Sequence, residues 1–137
     1  MNDVIRIGRI SSVNPINGMA RVYYPDRDST TSELSLFGFH KEYKLPQIND
    51  QVVVLHMPND TSSGIILGGF WNETDRPPEQ TDYKKDLGNE VYEMLKGENY
   101  IIHSPQITFE SKTDAISISD LLDMKKRLEA LERRLSE

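Results

Sequence analysis

The hydrophobic period of this chain changes near residue 120, and that change limits what each end can fold into. From Asp120 the sequence reads DLLDMKKRLEALERRLSE. Leu121, Met124, Leu128, Leu131 and Leu135 recur at spacings of 3, 4, 3 and 4, the a/d seam of an α-helical coiled coil. Ser117 or Ser119 can cap such a helix, and with Ser117 as the cap Asp120 stands at the third position and completes a capping-box-like pair. Asp120 and Asp123 open the helix and Arg133 and Arg134 lie near its end, which suits the helix dipole. A helix of about 18 residues is marginal alone in water. Its seam must pack either on the chain's own core or on copies of itself, and the composition of the segment before it favours copies. With Leu121 at an a position, Asp120, Arg127 and Arg134 fall at g, and Lys125 and Glu132 at e. A parallel pairing then sets Asp120 against Lys125 and Arg127 against Glu132, all of opposite sign. Leu at both a and d does not fix the number of strands.

Residues 1–72 obey a different period. Val4-Ile5-Arg6-Ile7-Gly8-Arg9-Ile10 partly alternates, Asn17-Gly18 is a hairpin signal, and Met19-Ala20-Arg21-Val22-Tyr23-Tyr24 returns. A polar loop, 25–33, precedes a short strand over 34–39. Gln51-Val52-Val53-Val54-Leu55-His56 reads as a well-buried strand. A turn over 58–63 leads to a closing strand over 64–71. Five strands in about 70 residues predict a small closed barrel, since closure removes exposed edges.

Residues 73–90 read as a linker, with Pro77-Pro78 and several charges. Residues 91–118 return to β-like patterning, with Ile107 and Phe109 pointing one way and Ile116 and Ile118 likewise. Those pairs are too sparse to close a core from one chain.

Apolar residues make up 36% of the 137, low for a compact globule and suggestive of an extended or assembled chain. The absence of cysteine excludes disulfides, Cys-ligated zinc and a thiol nucleophile. No signal-peptide core and no membrane-length apolar run is present, so a protein made in a reducing cytoplasm is expected. The Asn59 and Asn72 sequons are then polar turns. The net charge of −6 is uneven: residues 1–72 carry six basic and seven acidic side chains, residues 73–137 ten and fifteen. An acidic chain repels a phosphate backbone, so no nucleic-acid binding is expected.

His40, His56 and His103 lack metal-ligand spacing, and no nucleophile elbow or phosphate loop occurs. No metal, no cofactor and no catalytic residue is expected, hence no enzyme. His56 is read as a barrel-rim residue and His103 as facing solvent or an assembly interior. Tyr23, Tyr24, Phe37, Phe39, Tyr43, Phe70 and Trp71 could stack single-stranded nucleic acid, but core and interface packing is favoured in the absence of a basic groove.

Several stretches, in order, carry a likeness: Arg6-Ile7-Gly8-Arg9-Ile10; Asn17-Gly18-Met19-Ala20-Arg21-Val22; Tyr24-Pro25-Asp26-Arg27-Asp28; Leu45-Pro46-Gln47-Ile48-Asn49-Asp50-Gln51-Val52; and Gly64-Ile65-Ile66-Leu67-Gly68-Gly69-Phe70-Trp71-Asn72. Together they resemble the N-terminal domain of the phage baseplate assembly protein V family, the central spike of contractile tails. Asn49 stands where that family commonly has Gly, and Asn also tolerates the left-handed region. The resemblance implies a mainly β protein: an N-terminal five-stranded OB-fold barrel (1–72), a short intertwined trimeric β-prism or β-helix (91–118) and, from the heptads, a C-terminal coiled coil (119–137). It implies a homotrimer in the virion tail baseplate, assembled in the bacterial host cytoplasm. Trimerisation is expected at Ile107, Phe109, Ile116, Ile118, Leu121, Met124, Leu128, Leu131 and Leu135. Tyr24, Phe37, Phe39 and Tyr43 are candidate contacts to tail hub, baseplate and tail-tube proteins. The stalk would face the target cell envelope and could seat a separate tip protein. After residue 110 the chain departs from the family's His-bearing metal apex and lacks its muramidase insertion, so neither role is carried over. The alternative expectation is an OB-fold module binding nucleic acid or carbohydrate on a coiled-coil tether, and a third is an enzyme-associated domain without its catalytic partner.

Overall fold

A computed structural model describes residues 4–77 and 81–136. Pro78 of the expected linker and the first three residues of the expected barrel lie outside the described residues. The chain divides into two units at Pro77/Pro78, taken separately below.

The first unit contains β1 (Ile5–Asn14), β2 (Met19–Tyr24), β3 (Ser29–Thr30), β4 (Leu34–Leu36), β5 (Gln51–Met57) and β6 (Asp60–Gly68). The pairing runs β1-β5-β6-β4-β2 and returns to β1, a closed five-stranded barrel consistent with an OB-like one. All of these pairs are antiparallel except β4 with β6. Closure depends on β1. Its first half pairs with β5 and its second half with β2, with a bulge between Ile10 and Ser12 where it changes partner. A bulge adds the local bend and twist that such a corner needs.

Alternation decides the core. Ala20, Val22 and Tyr24 from β2 and Val52 and Val54 from β5 point inward with Ile10, Leu34 and Ile66, all buried. The expected five strands are present, with local differences. The β1–β2 loop has four residues, 15–18, closed by the Asn14–Met19 pair, and Gly18 alone of Asn17-Gly18 takes positive φ, 64°. The polar loop contains β3, a two-residue strand paired antiparallel with the end of β2. Beyond Leu36 the chain leaves the sheet and makes a tight turn at Phe39–Lys41, with His40 and Lys41 at φ 50° and 64°. Asn49 takes φ 75°, so the turn before β5 does use the left-handed region. Asn72 accepts from the backbone N–H groups of Thr74 and Asp75, both at 2.8 Å, a polar turn.

The second unit begins earlier than the sequence suggests. β7 (Lys84–Gly88) lies inside the stretch read as a linker and pairs with β8 (Val91–Lys96), which pairs with β9 (Asn99–His103). The charged Lys84-Lys85-Asp86 conceals a strand because its sheet buries neither face fully. The β7–β8 turn, Asn89-Glu90, takes positive φ at both residues, 54° and 64°, the twist that favours two-residue hairpins. A second hairpin follows, β10 (Thr108–Glu110) with β11 (Ala115–Ser117), and then α1 (Ile118–Ser136). No described residue of this unit is fully buried.

Candidate assembly interface

Helix α1 starts at a built N-terminus. The Ser117 backbone N–H donates to Asp120 Oδ2 at 3.0 Å, and the Asp120 N–H donates to Ser117 Oγ at 3.1 Å. This is the reciprocal capping box, with Ser117 rather than Ser119 as the cap. The bond from the Ser117 backbone, then the one from its hydroxyl, hold the Asp120 carboxyl below its ordinary value of 3.8. A lowered carboxylate stabilises the fold above its unfolded pKa and loses that contribution as pH falls through the folded one. The helical circular dichroism signal is therefore expected to decline in acid, below about pH 4, and Asp120→Asn should flatten this part of the titration. Ser117→Ala should cost about 1 kcal/mol, read as earlier thermal loss of the helix signal.

Beyond its first residue the helix lies exposed. None of its residues is buried, and Leu121, Met124, Leu128, Leu131 and Leu135 are all exposed. Arg127 Nε stands 3.4 Å from Asp123 Oδ2 one turn back, an exposed pair of small energetic weight.

The hairpin before the helix presents a second apolar face. Phe109 lies directly opposite Ile116. The ladder continues past the strand ends, because the Ile118 N–H donates to the Ile107 carbonyl at 2.9 Å. Residues two apart share a face, so Ile107, Phe109, Ile116 and Ile118 form one four-residue patch. Ile107, Ile116 and Ile118 are half-buried and Phe109 is 54% exposed. Ile118 is also the first residue of α1, so the patch runs into the helix without a break. The nine expected trimerisation residues thus lie on two apolar surfaces that follow one another along the chain, none of them fully buried.

The β7–β9 sheet adds chemistry the sequence did not announce. Glu93 accepts hydrogen bonds from the hydroxyls of Tyr83 and Tyr100. These bonds, Tyr100's first, hold its carboxyl below the ordinary value. On the opposite face His103 stacks on Tyr92, with ring centroids 4.7 Å apart, and Lys84 Nζ lies 4.4 Å from the Tyr92 ring centre.

In the barrel, the four candidate hub contacts separate. Phe37, Phe39 and Tyr43 are exposed, and the Phe37 and Phe39 rings lie 6.1 Å apart. Tyr24 does not belong with them. It is 3% exposed, an inward residue of β2, with the Arg6 guanidinium 4.0 Å from its ring centre and Arg6 held by both carboxylate oxygens of Asp26 at 3.0 and 2.9 Å. Its hydroxyl meets His56 Nε2 at 2.6 Å.

His56 is likewise not a rim residue. It is 4% exposed, facing inward from β5 like Val52 and Val54. Nδ1 faces the Ser63 carbonyl at 3.3 Å and must donate to it, which leaves Nε2 to accept from Tyr24. Burial raises the Tyr24 hydroxyl's pKa. Tyr24→Phe would orphan the buried Nε2 acceptor. The expected cost is about 2 kcal/mol of barrel stability, visible as a lower urea midpoint.

The outer wall of the barrel was also missed. Ile5, Leu55 and Ile65 are direct neighbours across β1, β5 and β6, and Ile7 pairs with Val53. Ile5, Ile7 and Leu67 are exposed, whereas Val53, Leu55 and Ile65 are half-buried. Continuous apolar runs in β5 and β6 were the available signal, since a strand apolar on both faces expects cover on both.

A polar cleft of about 340 Å³ opens beside the internal pair, lined by Arg6, Tyr24, Arg27, Thr31, His56 and Ser62 among others. Arg6 is already committed to Asp26. Among the described residues no group of three or more His, Asp or Glu side chains is arranged to hold a metal ion, and no helix is long and apolar enough to cross a membrane. No family model matches the chain, and no curated protein matches it.

Proposed function

We propose that this chain is a structural protein that works as a homotrimer: a short central spike or hub cap of a contractile phage tail baseplate or a tail-like bacteriocin. Its barrels would plug the tail tube, and its C-terminal part would project toward the target cell. The observation that carries this reading is the contrast between the units. The barrel closes a core of its own, while the second unit orders 19 helical residues and two small sheets without burying one described side chain. Such a segment gains its stability from other chains. The resemblance in residues 1–72 supplies the identity of the assembly, and the barrel is then an OB-fold, the hairpin face a trimeric prism and α1 a coiled coil. Exposed Phe37, Phe39 and Tyr43 are the hub contacts. The near-neutral barrel can pack closely against a hub, whereas residues 73–137 gather a charge of −15 in three copies, suited to a solvated projection.

Native mass measurement should give three copies, and deleting 119–137 should weaken assembly more than it disturbs the barrel. A monomer at micromolar concentration overturns the reading. In assembled particles, cross-links to hub peptides should concentrate on residues 20–72; concentration on 119–137 would invert the orientation. Salt-sensitive binding of single-stranded DNA without a trimer would favour a nucleic-acid module instead.

A further inference from the structure

We infer that α1 binds copies of itself in parallel and in register, an inference that rests on the self-association proposed above but not on the tail assignment. Two independent observations select this arrangement.

The first is charge. In a parallel, in-register coil each g residue faces the e residue of the following heptad on its neighbour. This joins Asp120 with Lys125 and Arg127 with Glu132, and no like-charged pair is formed. The antiparallel registers that overlap most of the seam set g against g. They set e against e as well: one register places Arg127 and Lys125 each against its own copy beside an opposite-sign Asp120–Arg134 pair, and the other places Arg127 against Arg134 beside an opposite-sign Lys125–Glu132 pair, so each holds like-charged pairs that the parallel form lacks. Asp123, on the same helix as Arg127, lies on the guanidinium's own-chain side at 3.4 Å and is compatible with Glu132 of a neighbour approaching from the other.

The second is continuity. The hairpin patch of Ile107, Phe109, Ile116 and Ile118 directly precedes the seam, because Ile118 is both the last rung of the hairpin ladder and the first residue of the helix, at an e position beside the seam. A parallel arrangement brings these patches together at one end, where they cover one another as the helices pair. An antiparallel arrangement separates them by the length of a 19-residue helix, about 28 Å, and leaves Phe109 uncovered on every copy. Only the parallel form covers both apolar surfaces with the same partner.

The absence of native cysteine makes the test clean. Leu121→Cys and Leu135→Cys are made separately in the full chain, native mass is recorded, and each is then oxidised. In the parallel, in-register form each variant alone yields covalent dimers on a denaturing gel. Covalent dimers only when L121C is mixed with Leu131→Cys, or L135C with Met124→Cys, would establish an antiparallel coil and overturn the inference while leaving self-association standing. An oligomeric mass with no linkage at any of these positions would place association elsewhere and also overturn it. A monomeric mass before oxidation would overturn self-association itself. As a second readout that leaves the apolar seam untouched, Arg127→Glu should weaken assembly about fivefold, and adding Glu132→Arg should restore it. Failure of the double variant to recover would contradict the parallel pairing.

Discussion

Replacing Leu128 with aspartate is expected to weaken assembly strongly and erase most of the helical circular dichroism signal while leaving the barrel folded. Leu128 is the central a position of the seam, and it is 57% exposed. In the proposed coil its copies meet around the axis. A carboxylate there is withdrawn from water beside its own symmetry mates, where like charges cannot all ionise cheaply. Breaking a buried arrangement this way costs about 3 kcal/mol or more, enough to weaken assembly on the order of 100-fold. The effect has a pH signature. Acid neutralises the new carboxyl and should restore part of the helix, but not all of it, because the Asp120 cap loses its charge in the same direction of titration. The helix lies in a different unit from the barrel core, so the barrel's urea midpoint should not move. An unchanged helix signal at neutral pH would mean that the seam is not buried.

Gly8→Ala is expected to do the reverse, destabilising the barrel and sparing the helix. Gly8 lies on β1 opposite Val52, where the strand passes closest to β2. A Cβ added there would stand 2.5 Å from Val22 Cγ1 and 2.7 Å from both the Tyr23 carbonyl oxygen and Tyr24 Cδ1. A side chain could move aside, but the Tyr23 carbonyl is backbone in a paired strand and Tyr24 is pinned between Arg6 and His56. The cost should be about 3 kcal/mol, at the upper end of ordinary overpacking, measured as a lower denaturation midpoint. Gly18→Ala provides the scale. Its added Cβ would meet open space, so only the positive φ is penalised, and the loss should be about 1 kcal/mol. Equal losses at the two positions would mean that β1 and β2 separate more easily than their close approach implies.

How much of this was legible in the sequence depends on the residue. The barrel strands could be read because apolar residues alternate against one inner face, and because turn residues interrupt them; Asn49 at positive φ was legible for the same reason. The helix was legible down to its cap, since Ser117 and Asp120 have the spacing that a reciprocal pair requires. Tyr24 and His56 were not. Each is amphipathic, and sequence alone cannot reveal that the polar atom of one lies within hydrogen-bond distance of the other, 32 residues away and inside a core. β7 was hidden by its charges, because a strand in a sheet with two solvated faces carries no apolar alternation. The outer wall of Ile5, Leu55 and Ile65 was present in the sequence as unbroken apolar runs but was absorbed into the core, where only alternate residues belong.

In the proposed assembly, the exposed helix also makes folding of this chain depend on its own abundance. The barrel closes its core from strands of one chain and can form in a solitary chain at a rate independent of dilution. No residue of α1 is buried, and at 19 residues it is near the length where an isolated helix is marginal. In the proposed assembly its order is tied by mass action to the meeting of chains. Two melting transitions are expected, one fixed and one that rises with protein concentration. Below a threshold supply the chain would persist as a finished barrel bearing an unfinished end, so that synthesis rate, rather than any ligand, would act as the trigger for completion.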